Sequence, residues 1–291
     1  MLATLLFFII LSMMRTNWEN QIKAQIKSRY KRQAKGNKNN SKSPLQMGYP
    51  NEVLEKIPQA LLEGYSGCGY YLRDINLNGN EQILDLGSGS GLDSYIISTH
   101  LVTGRVLSLD ITFEMLSNLY IYNIKSVCGD MELLPFFDQQ FDVIIANASF
   151  NLTTNKEKAL SEAFRVLKRG GQIRMRDLIK VRELPQEVLI DPLSFNTSLG
   201  GAEDEESVRI KMKKAGFSAI TISDHQPFSY LNSVSNDETE FLCLARIQTL
   251  DCVLALVDAS HKNGWTWINS DFNYIDCDNQ IIPHLKFIKK I

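Results

Sequence analysis

From residue 82 onward the chain alternates short apolar runs with segments of helical period. The strand candidates are Gln82–Leu86, Arg105–Leu109, Ser126–Gly129, Phe141–Ala146, Gln172–Asp177, Ala219–Ser223 and Glu240–Ile247. Helical patterns fall between them, notably Lys156–Lys168 and Glu205–Ala215, the second closed by Gly216. Strands that read as continuously apolar are buried on both faces, as they are when crossover helices cover a parallel sheet. The pattern predicts an α/β fold: a seven-stranded, mostly parallel sheet with helices on both faces.

Ahead of this region, Trp18, Ile22, Ile26, Tyr30 and Ala34 recur every four residues, which predicts one apolar face of a helix over residues 18–34. Lys23, Lys27, Lys31 and Arg32 lie between them and read as its solvated face. Gly36 ends the helix, Asn37–Ser43 reads as a flexible linker, and a short helical segment over Asn51–Glu63 leads to a loop at Gly64–Gly69. Four regions follow: an apolar segment at 1–14, a basic amphipathic helix and linker at 15–46, a folded domain at 47–247, and a C-terminal extension at 248–291 with no clear period.

Charge divides along the same lines. Residues 1–50 hold nine Lys and Arg against one acid, and the remaining 241 residues hold 22 basic and 32 acidic side chains. The acidic main body argues against nucleic acid as a partner, because binding to phosphate needs basic surface. Met1–Met14 is uncharged and almost wholly apolar, yet it falls short of the roughly 20 residues of a membrane-spanning helix. Its basic residues follow the apolar run, the reverse of a secretory signal. A short membrane contact, a helix packed on the domain and an artefactual start of the coding sequence remain as readings of this segment. The five cysteines are widely spaced and contain no CxxC pair, so no metal site is expected and a reducing, cytoplasmic setting fits best.

The chemistry concentrates where the first strand candidate runs into Gly87-Ser88-Gly89-Ser90-Gly91 and then a helix. Glycines there admit positive φ and leave no Cβ between backbone and ligand. A phosphate loop would end in Gly-Lys-Ser/Thr, but Leu92-Asp93-Ser94 follows; a dinucleotide fingerprint needs a glycine where Leu92 stands. Asp85 precedes the loop, where it would repel a pyrophosphate and welcome a cation. S-adenosylmethionine, with an ammonium, a sulfonium and no phosphate, suits that acid. The second strand ends in Asp110-Ile111, nineteen residues past Gly91, where a carboxylate can take both ribose hydroxyls. The third ends in Gly129-Asp130-Met131, with Asp130 placed for the adenine amino group and Met131 for the ring; the fourth ends at Asn147, beside the methyl group. The expected cofactor set is therefore Asp85, Gly87, Ser88, Gly89, Gly91, Asp110, Ile111, Asp130, Met131 and Asn147 on a Rossmann-like sheet.

These stretches resemble the class I S-adenosylmethionine-dependent methyltransferases, and the arsenite methyltransferases in particular. The resemblance is carried by Met47-Gly48-Tyr49, Gly67-Cys68-Gly69, Leu84–Gly91, Asp110–Met115, Glu162–Leu167, Leu184–Val188, Asp191-Pro192 and Leu199-Gly200-Gly201-Ala202. It implies a small-molecule acceptor, and in the arsenite branch a set of cysteine thiolates for the soft metalloid. That pattern expects thiols in the linker before Met47, at Cys68, directly after Asn147 and just before Leu199. This chain has none in the linker, keeps Cys68, and carries Ala148 and Ser198 at the other two positions. The remaining cysteines do not substitute: Cys128 and Cys243 read as core strand residues, and Cys252 and Cys277 lie in the extension.

Three readings of function follow. The chain is a small-molecule methyltransferase with a diverged acceptor site, or an arsenite methyltransferase relying on Cys68 with thiols from the substrate or from Cys252 and Cys277. Alternatively, it is a cofactor-binding protein without chemistry, favoured if the amphipathic helix mediates assembly. Asp177 and His225 are the candidates for a general base.

Overall fold

The computed structural model describes residues 2–35, 43–117, 119–184, 186, 198–227, 252–261, 274–275 and 281–282. Helix α1 (Leu2–Ala34) is followed by two short turns, α2 (Asn51–Leu54) and α3 (Gln59–Glu63). Pro58, the N-cap of α3, separates them, because proline has no N–H to continue a helix. The sheet then begins. Strands β1 (Gln82–Leu86), β2 (Arg105–Asp110), β3 (Lys125–Cys128), β4 (Phe141–Asn147), β5 (Leu167–Lys180), β6 (Phe217–Pro227) and β7 (Cys252–His261) form one seven-stranded sheet in the order β3-β2-β1-β4-β5-β7-β6. Pairings among the first five strands are parallel, and β7 runs antiparallel to both β5 and β6. This is the Rossmann-like α/β architecture that the apolar pattern predicts.

Helices α4 (Leu92–Ser98), α5 (Phe113–Leu116), α6 (Lys156–Val166) and α7 (Glu205–Ala215) connect the strands. Their ends follow local chemistry. The Asn155 side chain accepts from the backbone N–H of Lys158 at the start of α6, and that of Asp204 accepts from Ser207 at the start of α7. Gly216 closes α7 at φ +112°, a left-handed cap. One face of the sheet (Leu84, Ile144, Ala146, Ile173, Met175) packs on Ala159, Leu160 and Ala163 of α6 and on Val208 and Met212 of α7. The other (Ile83, Val106, Val143, Ile145) packs on Ile96 and Ile97 of α4 and on Tyr49, Leu61, Tyr71 and Leu72 from the segment before the sheet.

Three expectations change. The seventh strand is Cys252–His261, so the sheet continues past residue 247 into the region read as an extension; the expected strand at Glu240–Ile247 lies outside the described residues. In β7, Asp258 stands opposite Arg174 of β5, and the two form a buried ion pair at 2.8 Å. Secondly, α1 starts at Leu2 rather than near Trp18, since no glycine or proline interrupts residues 2–34. From residue 17 on, where its side chains are described, its buried positions are Ile22, Ile26 and Gln33, while Trp18 and Ala34 are exposed. Thirdly, Cys128 is exposed on the edge strand β3 rather than in the core. Among the described residues no helix is long and apolar enough to cross a membrane.

Candidate cofactor and acceptor site

At the carboxyl ends of β1, β2, β3 and β4 a pocket of about 640 Å³, open mouth included, is lined by the glycine loop and the strand-end residues. Gly87, Gly89 and Gly91 all take positive φ (72°, 53° and 84°). A Cβ on Gly87 would collide with the Cβ of Ser149, so the loop can approach β4 only as glycine. Backbone N–H groups of Gly87 and Ser88 donate to the Leu109 carbonyl at 2.7 and 3.0 Å, which ties the loop to the end of β2.

Asp110 closes that end. Its Oδ2 accepts from the Gly89 N–H at 2.9 Å and its Oδ1 from the Thr112 N–H at 2.7 Å, fixing the carboxylate on the pocket wall with lone pairs to spare. Burial pushes its pKa up, against those hydrogen bonds. Gly87, Gly89, Asp110, Ile111, Asp130, Met131 and Asn147 all line the pocket. Ser88 and Gly91 stand behind it: Gly91 caps α4, and the buried Ser88 hydroxyl has no hydrogen-bond partner among the described residues.

Asp85 is placed differently from the sequence expectation. It is 2 % exposed, accepts from Ser94 Oγ at 2.7 Å and does not line the pocket. Burial and the nearby Asp93 push its pKa up to about 8. Any pull on a cationic ligand therefore acts through the floor rather than by contact.

Asn147 is the centre of a buried polar cluster that sequence reasoning did not find. Its Oδ1 accepts from the Cys68 N–H at 2.7 Å. Its Nδ2 donates to Asp93 Oδ2 at 2.9 Å and lies 3.2 Å from both the Tyr49 hydroxyl and the Gly69 carbonyl. The Tyr49 hydroxyl in turn donates to Asp93 Oδ1 at 2.6 Å. Two buried arginines on β5 hold the same covering loop: Arg176 Nε donates to the Cys68 carbonyl at 2.9 Å, and Arg174 Nη1 to the Arg73 carbonyl at 2.8 Å. An arginine in a β-strand window carries no local signal of such a role, because its partner lies about 100 residues away.

Helix α1 supplies another wall through Lys23, Ile26 and Tyr30. Lys23 is not on a solvated face: its ammonium donates to Asp130 Oδ2 at 2.7 Å and to Glu132 Oε2 at 2.6 Å. Glu132 also accepts through Oε1 from the N–H groups of Thr154 and Asn155, joining the end of β3 to the start of α6.

Comparison with known proteins agrees with this geometry. Residues 77–216 match the family model for a methyltransferase domain. The arsenite methyltransferase of Aquipseudomonas alcaligenes is 32% identical over 196 residues, 62% of this chain and 56% of that protein. The ubiquinone/menaquinone biosynthesis C-methyltransferase UbiE of Klebsiella pneumoniae is 31% identical over 48% of this chain and 67% of its own length. The crystal structure of CrArsM, an arsenic(III) S-adenosylmethionine methyltransferase from Chlamydomonas reinhardtii, superposes with a TM-score of 0.61 at 25% identity, covering 74% of this chain and 75% of that one. The chain belongs to the class I S-adenosylmethionine-dependent methyltransferases. It spans about half the length of the arsenite methyltransferases it matches.

The cofactor of this family is S-adenosylmethionine, and the residues present fit it. An oriented carboxylate (Asp110) faces a cradle of glycines, with a thioether (Met131) and a second acid (Asp130) at the far strand end.

The residues expected on the acceptor side are placed as follows. Cys68 is buried, and burial together with the charge of Asp177 raises its thiol pKa well above the usual range. Ala148 lines the pocket in a left-handed conformation (φ 56°), with its N–H on the Arg176 carbonyl. Ser198 is buried, also left-handed (φ 66°), and off the pocket wall. Neither base candidate reaches the pocket. Asp177 is buried, accepts from the Asn151 and Leu178 N–H groups, and is pushed up to about 6. His225 lies 3.4 Å from Glu205 on α7. Among the described residues no cluster of three potential metal ligands forms.

Proposed function

We propose that this chain transfers a methyl group from S-adenosylmethionine to a small acceptor other than arsenite, one that brings its own reactive lone pair. When bound, the cofactor supplies an electrophilic methyl group on a sulfonium. The protein's share of such a displacement is proximity, alignment and exclusion of water. Asp110 would hold the ribose, Asp130 and Met131 the adenine end, and the Asn147 cluster would fix the strand end beside the methyl group.

One observation carries the acceptor reading. Of the four positions where the arsenite branch expects thiols, Cys68 alone has one, and that thiol is buried and held in its protonated form. A soft metalloid needs thiolate ligands, and neither a serine hydroxyl nor an alanine methyl supplies one. The residues lining the pocket with Ala148 include the hydroxyl-bearing Tyr30, Ser66, Ser149 and Thr153 and no cysteine. Among the described residues neither Asp177 nor His225 lines the pocket, which favours an acceptor that arrives already nucleophilic, as a small thiolate or another soft donor does. Cys68 and Cys128 are free thiols, from which we infer a reducing, cytoplasmic setting.

The test follows labelled methyl from the cofactor into a panel of small thiols, into trivalent arsenic with excess glutathione, and into the small-molecule fraction of a cell extract. Label is expected in a small molecule, with arsenic a poor acceptor. Efficient arsenic methylation lost in Cys68→Ser would replace this reading with the arsenite one. Tight cofactor binding with no transfer to any fraction would make the chain a binding protein.

A further inference from the structure

Three charged groups from two distant segments meet on the pocket wall: Lys23 of α1, and Asp130 and Glu132 just after β3. Their side-chain exposures are 19 %, 32 % and 4 %, and the hydrogen bonds they make are graded in the same way. Glu132 is the fixed member. Its Oε1 accepts from the N–H groups of Thr154 and Asn155 and from the Thr154 hydroxyl, and its Oε2 accepts from the Lys23 ammonium at 2.6 Å. The same ammonium donates to Asp130 Oδ2 at 2.7 Å. Among the described residues the Asp130 carboxylate has one further bond, from the Glu132 N–H to Oδ1 at 2.9 Å. Each Asp130 oxygen therefore keeps a lone pair for a ligand. One lysine shared between two acids leaves the trio with a net negative charge, so Asp130 remains a charged and strong acceptor. Burial opposes the charge of Lys23, but its bonds to the two acids prevail and raise its pKa, which keeps the lysine ionised.

We propose that Lys23 is a positioning residue for the base of the cofactor: it passes the fixed position of Glu132 on to Asp130, whose carboxylate then selects a purine with a 6-amino group. The proposal rests on Asp130 receiving the adenine amino group. A carboxylate that is one-third exposed and held by a single N–H has rotamer freedom to lose on binding, and water competes for its lone pairs. A cation on Oδ2 removes that freedom before the ligand arrives, and preorganisation of this kind lowers the cost of binding.

The experiment compares calorimetric affinities of the full chain for S-adenosylhomocysteine and for its analogue with hydrogen in place of the 6-amino group. In the wild type the analogue is expected to bind at least about tenfold more weakly, the loss of one hydrogen bond to a charged group. In Lys23→Met that ratio is expected to fall below about threefold, and Lys23→Arg, which keeps a cation between the acids, should restore most of it. A lysine that only fastened α1, or touched the ligand elsewhere, would weaken both ligands alike. A wild-type ratio retained in Lys23→Met would therefore overturn the positioning role while leaving Asp130 as the base contact. Equal binding of the two ligands by the wild type would overturn both. Where Lys23→Met does not fold, the ammonium resonance of Lys23 in the wild type, assigned through Lys23→Arg, decides: it should shift with the 6-amino ligand and not with the analogue, and equal shifts would overturn the proposal. Normal binding by Asp110→Ala would instead remove the pocket from the cofactor.

Discussion

Replacing Asn147 by alanine tests the buried polar cluster at the end of β4. The truncation removes the hydrogen bond to the Asp93 carboxylate at 2.9 Å and leaves the Cys68 N–H, which donates to Asn147 at 2.7 Å, without its acceptor. A hydrogen bond to a charged group is worth about 1.5–3 kcal/mol, and a buried orphaned donor costs about 1–3 kcal/mol. Together they predict a loss of about 3–5 kcal/mol, softened because Tyr49 still holds Asp93 at 2.6 Å. The loss has a pH signature. Burial raises the Asp93 pKa to about 6, and the Asn147 hydrogen bond works against that rise. Above pH 6 the variant must accommodate a less supported carboxylate, and near pH 5 a neutral one. Urea unfolding of wild type and Asn147→Ala at pH 5 and pH 8 is the assay, with the larger loss expected at pH 8. A loss below about 1 kcal/mol at both pH values, small for a buried polar group, would show that the cluster does not hold the covering loop.

Two further outcomes follow from the buried charges. Asp258→Ala strands Arg174 inside the sheet and should cost about 3–5 kcal/mol, whereas the double change Arg174→Met with Asp258→Leu should be far milder; denaturant midpoints check this, and a harmless Asp258→Ala would contradict the placement of β7. Asp85 and Asp177 have folded-state pKa values of about 8 and about 6, both above the ordinary 3.8. The folded protein therefore binds more protons than the unfolded chain, and the associated stability is complete below about pH 4 and lost as pH rises through 6 to 8. The slope for Asp85 alone is about 1.4 kcal/mol per pH unit. Melting temperatures across pH 5–8.5 should fall without cofactor, and fall less with S-adenosylmethionine, whose positive charge favours the ionised carboxylates; a rise with pH would refute the assignment.

The convergence of the strand-end residues on one pocket was legible because its signals are local. Glycines at 87, 89 and 91 and acids ending successive strands are readable in windows of a few residues, and the structure puts Gly87, Gly89, Asp110 and Asp130 on one wall. Asp85 misled because its position before the loop does not say which way the side chain turns; Ser94, nine residues on, decides that. Lys23 misled for a related reason. A lysine between apolar helix positions ordinarily faces water, and its partners lie 107 and 109 residues away. The strand at Cys252–His261 was missed because its partner is distant: Asp258 pairs with Arg174, which periodicity cannot express.

The assignment of the pocket to S-adenosylmethionine turns on Asp110 holding the ribose. Calorimetric titration of the cofactor into wild type and Asp110→Ala measures that most directly. Loss of two hydroxyl-to-carboxylate hydrogen bonds predicts single-site binding in the wild type and affinity at least about 100-fold weaker in the variant. Equal affinity in the two proteins would contradict it.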